Sequence, residues 1–245
     1  MEVETCNGYG RYMAAYDTDI APVAALLADR GRAAMLTALL GGRALAAGEL
    51  AHAAGVTPQT ASAHLSRLLD GGLVTVVQQG RHRYYRLAGP EIAEVLEALS
   101  NISPPVEVRS LKQSRTAKAL RTARTCYDHL AGQAGVALFE ALCAEGLLDS
   151  ESCLPTEQGT ARLKVIDIDV PAVRAAKRRF AGACLDWTER RPHLNGALGA
   201  ALLDRMVELD WFRRGSEPRA MIITDRGTEG LAETFGCRVP EPLAG

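Results

Sequence analysis

A helix stop and a helix start stand almost back to back near residue 56, a junction that few folds accommodate. The run ALAAGELAHAAG (44–55) reads as a short amphipathic helix closed by Gly55, a residue that tolerates the left-handed backbone of a C-cap. Thr57 then supplies an N-cap and Pro58 occupies a first helical position, where a missing N–H costs nothing. In the second helix Ala61, Leu65, Leu68 and Leu69 recur at helical spacing and mark the buried side. Gln59, Ser62 and Ser66 point the other way, with Thr60, His64 and Arg67 on the flanks. An outer face that is small, polar and unpaired suits a DNA major groove, where such side chains meet base edges and phosphates.

Gly71 and Gly72 end that helix, LVTVV (73–77) reads as a strand, QQGRH as a turn and RYYRLA (83–88) as the returning strand. Arg81, His82, Arg83 and Arg86 gather on this hairpin. Residues 56–86 hold four Arg against one Asp in a chain whose formal net charge is −1. Arg outnumbers Lys 24 to 4 throughout, so only such clustering carries weight, and a cationic hairpin suits the phosphate backbone.

The words VTPQTASAHLSRLLDGGLV and GRHRYYRL, in this order and spacing, resemble the ArsR/SmtB winged-helix repressors over residues 19–100. The family's Ser-x-His-Leu falls on Ser62, His64 and Leu65, its Gly-Leu-Val on residues 72–74, and its wing on Gly80, Arg81, Tyr85 and Leu87. The resemblance implies a homodimer on double-stranded operator DNA, joined through the first and last helices of the module. Thr57, Gln59, Thr60, Ser62, His64, Arg67, Arg81, His82 and Arg83 become the candidate DNA-contacting residues. The family's familiar metal sites do not transfer. The Cys-x-Cys positions are Ala46 and Gly48, and PEIAEVLEALSNI has neither His nor Cys.

The expected fold class is mainly α: a winged helix-turn-helix followed by a helix-rich C-terminal domain with small wing-like β elements. Ser103-Pro104-Pro105 disfavours helical continuation. The expected organisation is an arm over 1–18, the DNA-binding domain over 19–102, a linker over 103–110, and a sensing or dimer-bracing domain over 111–245. Basic residues recur through 106–124 every third position, a spacing that drifts around a helix rather than marking one face. No run of 18 apolar residues supports a membrane span, and the polar start MEVETCNGYG reads as no secretion signal. Six cysteines without a CxxC pair predict reduced thiols and a cytoplasmic protein.

The second half contains an echo. GVALFEALCAEGLL precedes LPTEQGTARL, and GAALLDRMVELDWF precedes IITDRGTEGL, each reading as helix, turn, short strand and a Thr-x-x-Gly entry into another helix. Two such units packed together predict a pseudo-symmetric sensing domain. RTCYDHLAG (124–132) is read as helical, with Cys126 and His129 on one face. CLDWTERRPHLNG adds Cys184 and His193, at a spacing that matches no standard zinc pattern. Three readings stand side by side. The four residues hold a transition metal such as Zn, or they are ordinary core, or Arg124, Tyr127, Trp187, Arg190 and Arg191 line a pocket for an anionic or aromatic effector. Cys126 beside Arg124 and His129 also permits control by thiol oxidation, and a partner protein is a further alternative. An enzyme is the outsider, because no nucleophile elbow and no glycine-rich phosphate loop accompany the thiol and histidines. The predicted function is a DNA-binding repressor released by an effector bound in the second half.

Overall fold

The computed structural model describes residues 18–104 and 110–240. All of the expected arm but Thr18, and most of the expected linker, therefore lie outside the described residues. Helices α1 (Ala21–Leu27) and α2 (Arg30–Leu39) lead to a two-residue strand, β1 (Leu45–Ala46), then α3 (Ala47–Ala54) and α4 (Pro58–Asp70). Gly55 closes α3 at φ +63°, and the Thr57 side chain accepts the Thr60 N–H at the head of α4, so the stop and restart form as their residue types require. Strands β2 (Val74–Gln79) and β3 (His82–Leu87) pair antiparallel with Gln79 opposite His82. Only Gly80 and Arg81 form the turn, shorter than the five residues anticipated. Strand β1 adds to the other edge of β3; it was not foreseen, being too short to show alternation. Helix α5 (Pro90–Ile102) closes the unit. Met35, Leu36, Leu50, Leu65, Leu68 and Leu87 are among the side chains of its core.

The second half runs α6 (Leu111–Thr122), β4 (Arg124–Cys126), β5 (His129–Ala131), α7 (Gly132–Ala144), α8 (Glu157–Val165) and α9 (Val170–Arg174). It continues with β6 (Gly182–Leu185), β7 (Pro192–Asn195), α10 (Gly196–Glu208), β8 (Phe212–Arg214), β9 (Met221–Ile223) and α11 (Asp225–Phe235). The helical reading of RTCYDHLAG is corrected here. The segment is a tight hairpin with Cys126 directly opposite His129 across Tyr127-Asp128, and Tyr127 takes φ +60°. All six residues of β4 and β5 are buried, which a helix with one inward face could not achieve.

The echo is real as structure. Each unit is a hairpin followed by a helix, β4–β5–α7 and β6–β7–α10, and His129 and His193 stand 64 residues apart, as do Gly132 and Gly196. Thr156 caps α8 and Thr224 caps α11. The strand pair before α11 is reduced before α8 to one bridge, Leu148 with Pro155. The units exchange partners: α7 packs on β7, and α10 packs on β5. Glycines permit this approach. A Cβ on Gly135 would stand 3.6 Å from His193 Cβ, and one on Gly199 would stand 3.1 Å from His129 Cβ. The two units thus meet around an approximate dyad that passes by the two histidines. Their shared core includes Leu142, Leu198, Leu202, Phe212 and Phe235 and is distinct from that of the first half.

Candidate functional site

Two surfaces deserve a functional reading. On α4, Gln59, Thr60, Ser62, Ser66 and Arg67 are exposed, as are Arg81, His82 and Arg83 at the hairpin tip. Thr57 and Thr60 are partly committed to the helix cap, with their hydroxyls 2.9 Å apart. Arg83 stacks over the Tyr85 ring at 5.6 Å, which orders the tip. His64 departs from the expected set. Its Nε2 lies 3.6 Å from Asp29 Oδ1 and its side chain is 14% exposed, so it braces α4 against the start of α2 rather than facing outward.

The second surface is internal. Cys126, His129, Cys184 and His193 each offer one ligand atom, and all four atoms lie within 4.8 Å of one another. Each hairpin contributes one cysteine and one histidine placed directly opposite each other, Cys126 with His129 and Cys184 with His193. The imidazoles stack with centroids 5.2 Å apart. Nε2 of both rings and Nδ1 of His193 are buried without a hydrogen-bond partner, a costly state that a bound cation would relieve at one nitrogen of each ring.

Each imidazole has a carboxylate behind it. His129 Nδ1 is 3.4 Å from Asp128 Oδ1, and His193 Nδ1 is 3.5 Å from Asp186 Oδ2. Each carboxylate is in turn held by an arginine, Asp128 by Arg178 and Asp186 by Arg124 at 2.9 Å. Asp186 also accepts from the N–H of Gly132 at 2.7 Å and of Thr188 at 2.9 Å. Although burial opposes its ionisation, the Arg124 charge and these hydrogen bonds hold its carboxyl well below the usual range. Burial likewise opposes the charged form of His129, but Asp128 and the Cys184 sulfur raise it above the ordinary imidazole value. Against burial, the neighbouring Cys126 thiol and the two histidines hold the Cys184 thiol well below its ordinary value, while Cys126 itself is pushed up by Cys184 and by burial. The carboxylates were not identified from sequence as supports of the histidines. The repeated Cys-x-Asp of Cys126-Tyr127-Asp128 and Cys184-Leu185-Asp186 was the available signal.

The residues expected to line an organic pocket are otherwise engaged. Arg124 is fully buried on Asp186 and stacks on Trp187 at 4.6 Å. Arg190 donates to the Asn101 carbonyl, and Arg191 pairs with Glu140. The cavity beside the cluster, between α5 and both hairpins, is about 20 Å³. That is room for a water or a single ion, whereas sites for drug-sized ligands run to several hundred Å³.

Residues 27–77 match a family model described as a helix-turn-helix domain. The chain is 45% identical over 211 residues to an uncharacterized HTH-type transcriptional regulator, YdfF, of Bacillus subtilis (strain 168), spanning 85% of this chain and 93% of that protein. The likeness therefore runs through both halves. Among solved structures, it is similar to the cadmium metal-sensor CMTR from Mycobacterium tuberculosis, at 34% identity, covering 36% of this chain and 99% of that one, TM-score 0.30. It is also similar to the homodimeric winged helix-turn-helix domain Mb0332 from Mycobacterium bovis, at 33% identity, covering 35% and 86%, TM-score 0.30. Among the described residues no helix is long and apolar enough to cross a membrane.

Proposed function

Since the chain belongs to the helix-turn-helix transcriptional regulators, we propose that it is a longer variety of the ArsR/SmtB winged-helix type, binds operator DNA as a homodimer and represses until its second half takes up an effector. The observation that carries DNA reading is the exposed polar row of α4 standing beside a cationic hairpin tip. Gln59, Ser62 and Arg67 read bases, while Arg81, His82 and Arg83 hold phosphates. Two separate cores support a division into a DNA-binding domain, 19–102, and an effector domain, 111–245. Exposed Val95, Leu99 and Ile102 on α5, with Ile20 at the head of α1 and Val23 on it, supply an apolar face for the dimer.

The effector class that the second half fits is a thiophilic transition-metal cation such as Zn²⁺, held by Cys126, His129, Cys184 and His193. Adjacent thiols in one cluster also favour a second reading, oxidation of Cys126 and Cys184 to a disulfide. No catalytic role is assigned to the chain. Footprinting on candidate promoter DNA tests the first part: two related half-sites about 34–36 Å apart are expected, and a single unrepeated site bound by a monomer contradicts it. Elemental analysis of reduced protein tests the second: about one ion per chain supports the metal, while a metal-free protein that loses DNA only on oxidation favours the disulfide.

A further inference from the structure

We propose that a closed four-ligand ion at Cys126, His129, Cys184 and His193 is read by the DNA-binding domain through the two hairpins that carry the ligands, because both hairpins are tied to α5 and one of them also to the end of α2. The inference rests on the metal reading above and extends it to a route of regulation.

The chemistry of the donors selects the ion. Two sulfurs and two imidazoles fill a tetrahedron, leave no open position, and favour zinc or cadmium over hard cations. The Asp128 carboxylate beside His129 Nδ1 leaves Nε2 of that ring for the centre. With metal–sulfur bonds of about 2.3 Å and metal–nitrogen bonds of about 2.0–2.1 Å, tetrahedral donors stand roughly 3.3–3.8 Å apart. The four atoms here all lie within 4.8 Å of one another, so an arriving ion fixes the spacing of the two hairpins that carry them.

Those hairpins do not end in solvent. The N–H of Tyr127, in the β4–β5 turn, donates to the Leu40 carbonyl just after α2 at 2.7 Å, and the Tyr127 ring packs on the core of the DNA-binding domain. The fit is close enough that a Cβ on Gly42 would collide with the Tyr127 carbonyl oxygen. The second hairpin is fastened to α5 instead. Asn101 Nδ2 donates to the Leu185 carbonyl at 3.2 Å, one residue from Cys184. A third tie joins α5 to β4, where Arg219 pairs with Glu97 and donates to the Thr125 carbonyl at 3.1 Å, one residue from Cys126. Fixing the spacing of the hairpins therefore sets the end of α2 against α5. In a dimer joined through α5, that setting aims both copies of α4 and changes operator affinity. A ligand alters the balance only by favouring one arrangement, and the four metal–ligand bonds supply that preference.

The test uses the full chain, stripped of metal under reducing conditions, with Co²⁺ as the optical probe and Zn²⁺ for the DNA measurement. Co²⁺ is expected to bind at about one per chain with the visible bands of a tetrahedral thiolate site, lost in Cys184→Ser. Zn²⁺ is expected to weaken operator binding, read by fluorescence anisotropy, by about fivefold or more, within the range of ordinary couplings. In the Glu97→Gln, Asn101→Ala, Arg190→Ala triple variant, which also removes the bond from Arg190 to the Asn101 carbonyl, the Co²⁺ bands should remain, which shows the fold intact, while the response to Zn²⁺ falls to less than half. Absence of tetrahedral Co²⁺ bands overturns the metal reading itself. Normal Co²⁺ binding with operator affinity indifferent to Zn²⁺ leaves the metal standing and overturns the coupling. An undiminished response in the triple variant overturns the route through α5.

Discussion

Arg124 and Asp186, with side chains 0% exposed and 2.9 Å apart, show how much one residue can bear in this chain. Removing one member of a buried pair leaves the other charged and unpartnered, at a cost of about 3–5 kcal/mol. Arg124→Ala is therefore expected to lower the unfolding free energy by that order in a urea titration, and a midpoint unchanged from the parent would refute the assignment. Asp128 offers a gentler probe. It stands behind His129 but is partly exposed, so Asp128→Asn should weaken Zn²⁺ binding by about 10–100-fold at unchanged stoichiometry. Equal affinity in a chelator competition would mean that Asp128 serves only Arg178. The ligand residues could be named from the sequence by type, because Cys and His are scarce there. Their carboxylates could not, since aspartates are common and only the hairpins show which of them lie behind an imidazole.

The proposed function gives helix α4 and the β2–β3 hairpin different work, so their substitutions should separate. Arg81→Ala and Arg83→Ala are expected to weaken all DNA alike and to reduce the salt slope by about one each. Gln59→Ala should relax base preference at about 1–3 kcal/mol. Binding titrations at several salt concentrations, on operator and scrambled DNA, distinguish the two, and the reverse pattern would exchange their roles. Thr57→Ala removes the cap of α4 and should cost about 1 kcal/mol of stability. These elements were legible because capping residues and helical spacing act locally. The RTCYDHLAG segment was not. Its Cys126 and His129 satisfy a helical spacing as well as a two-residue turn, and only burial on both sides by α7, α10 and β7 selects the hairpin.

At the scale of the molecule specific bonds join the two cores, and the second half leaves open the α5 face that we propose for the dimer. Val95, Leu99 and Ile102 remain 49%, 38% and 81% exposed on α5. Leu99→Asp with Ile102→Asp should give a monomer by sedimentation equilibrium that keeps its helical circular dichroism and loses affinity for a paired site. A dimer persisting at the same concentration would place the interface elsewhere.

What the sequence by itself determined is whatever neighbouring residues decide among themselves. That includes the stop at Gly55 and restart at Thr57-Pro58, the arginine-bearing hairpin, the break at Ser103-Pro104-Pro105, and the echo in the second half. The tertiary structure alone decided where the echoed units meet. Cys126 and Cys184 are 58 positions apart, and no local preference carries information over that distance. They come together because α7 buries its apolar face on β7 and α10 buries its own on β5, an exchange that the glycines at 135 and 199 allow. The inward turn of His64 has the same kind of cause. Its place on α4 is set by helical spacing, but its partner, Asp29, belongs to a segment that arrives only when the helices pack.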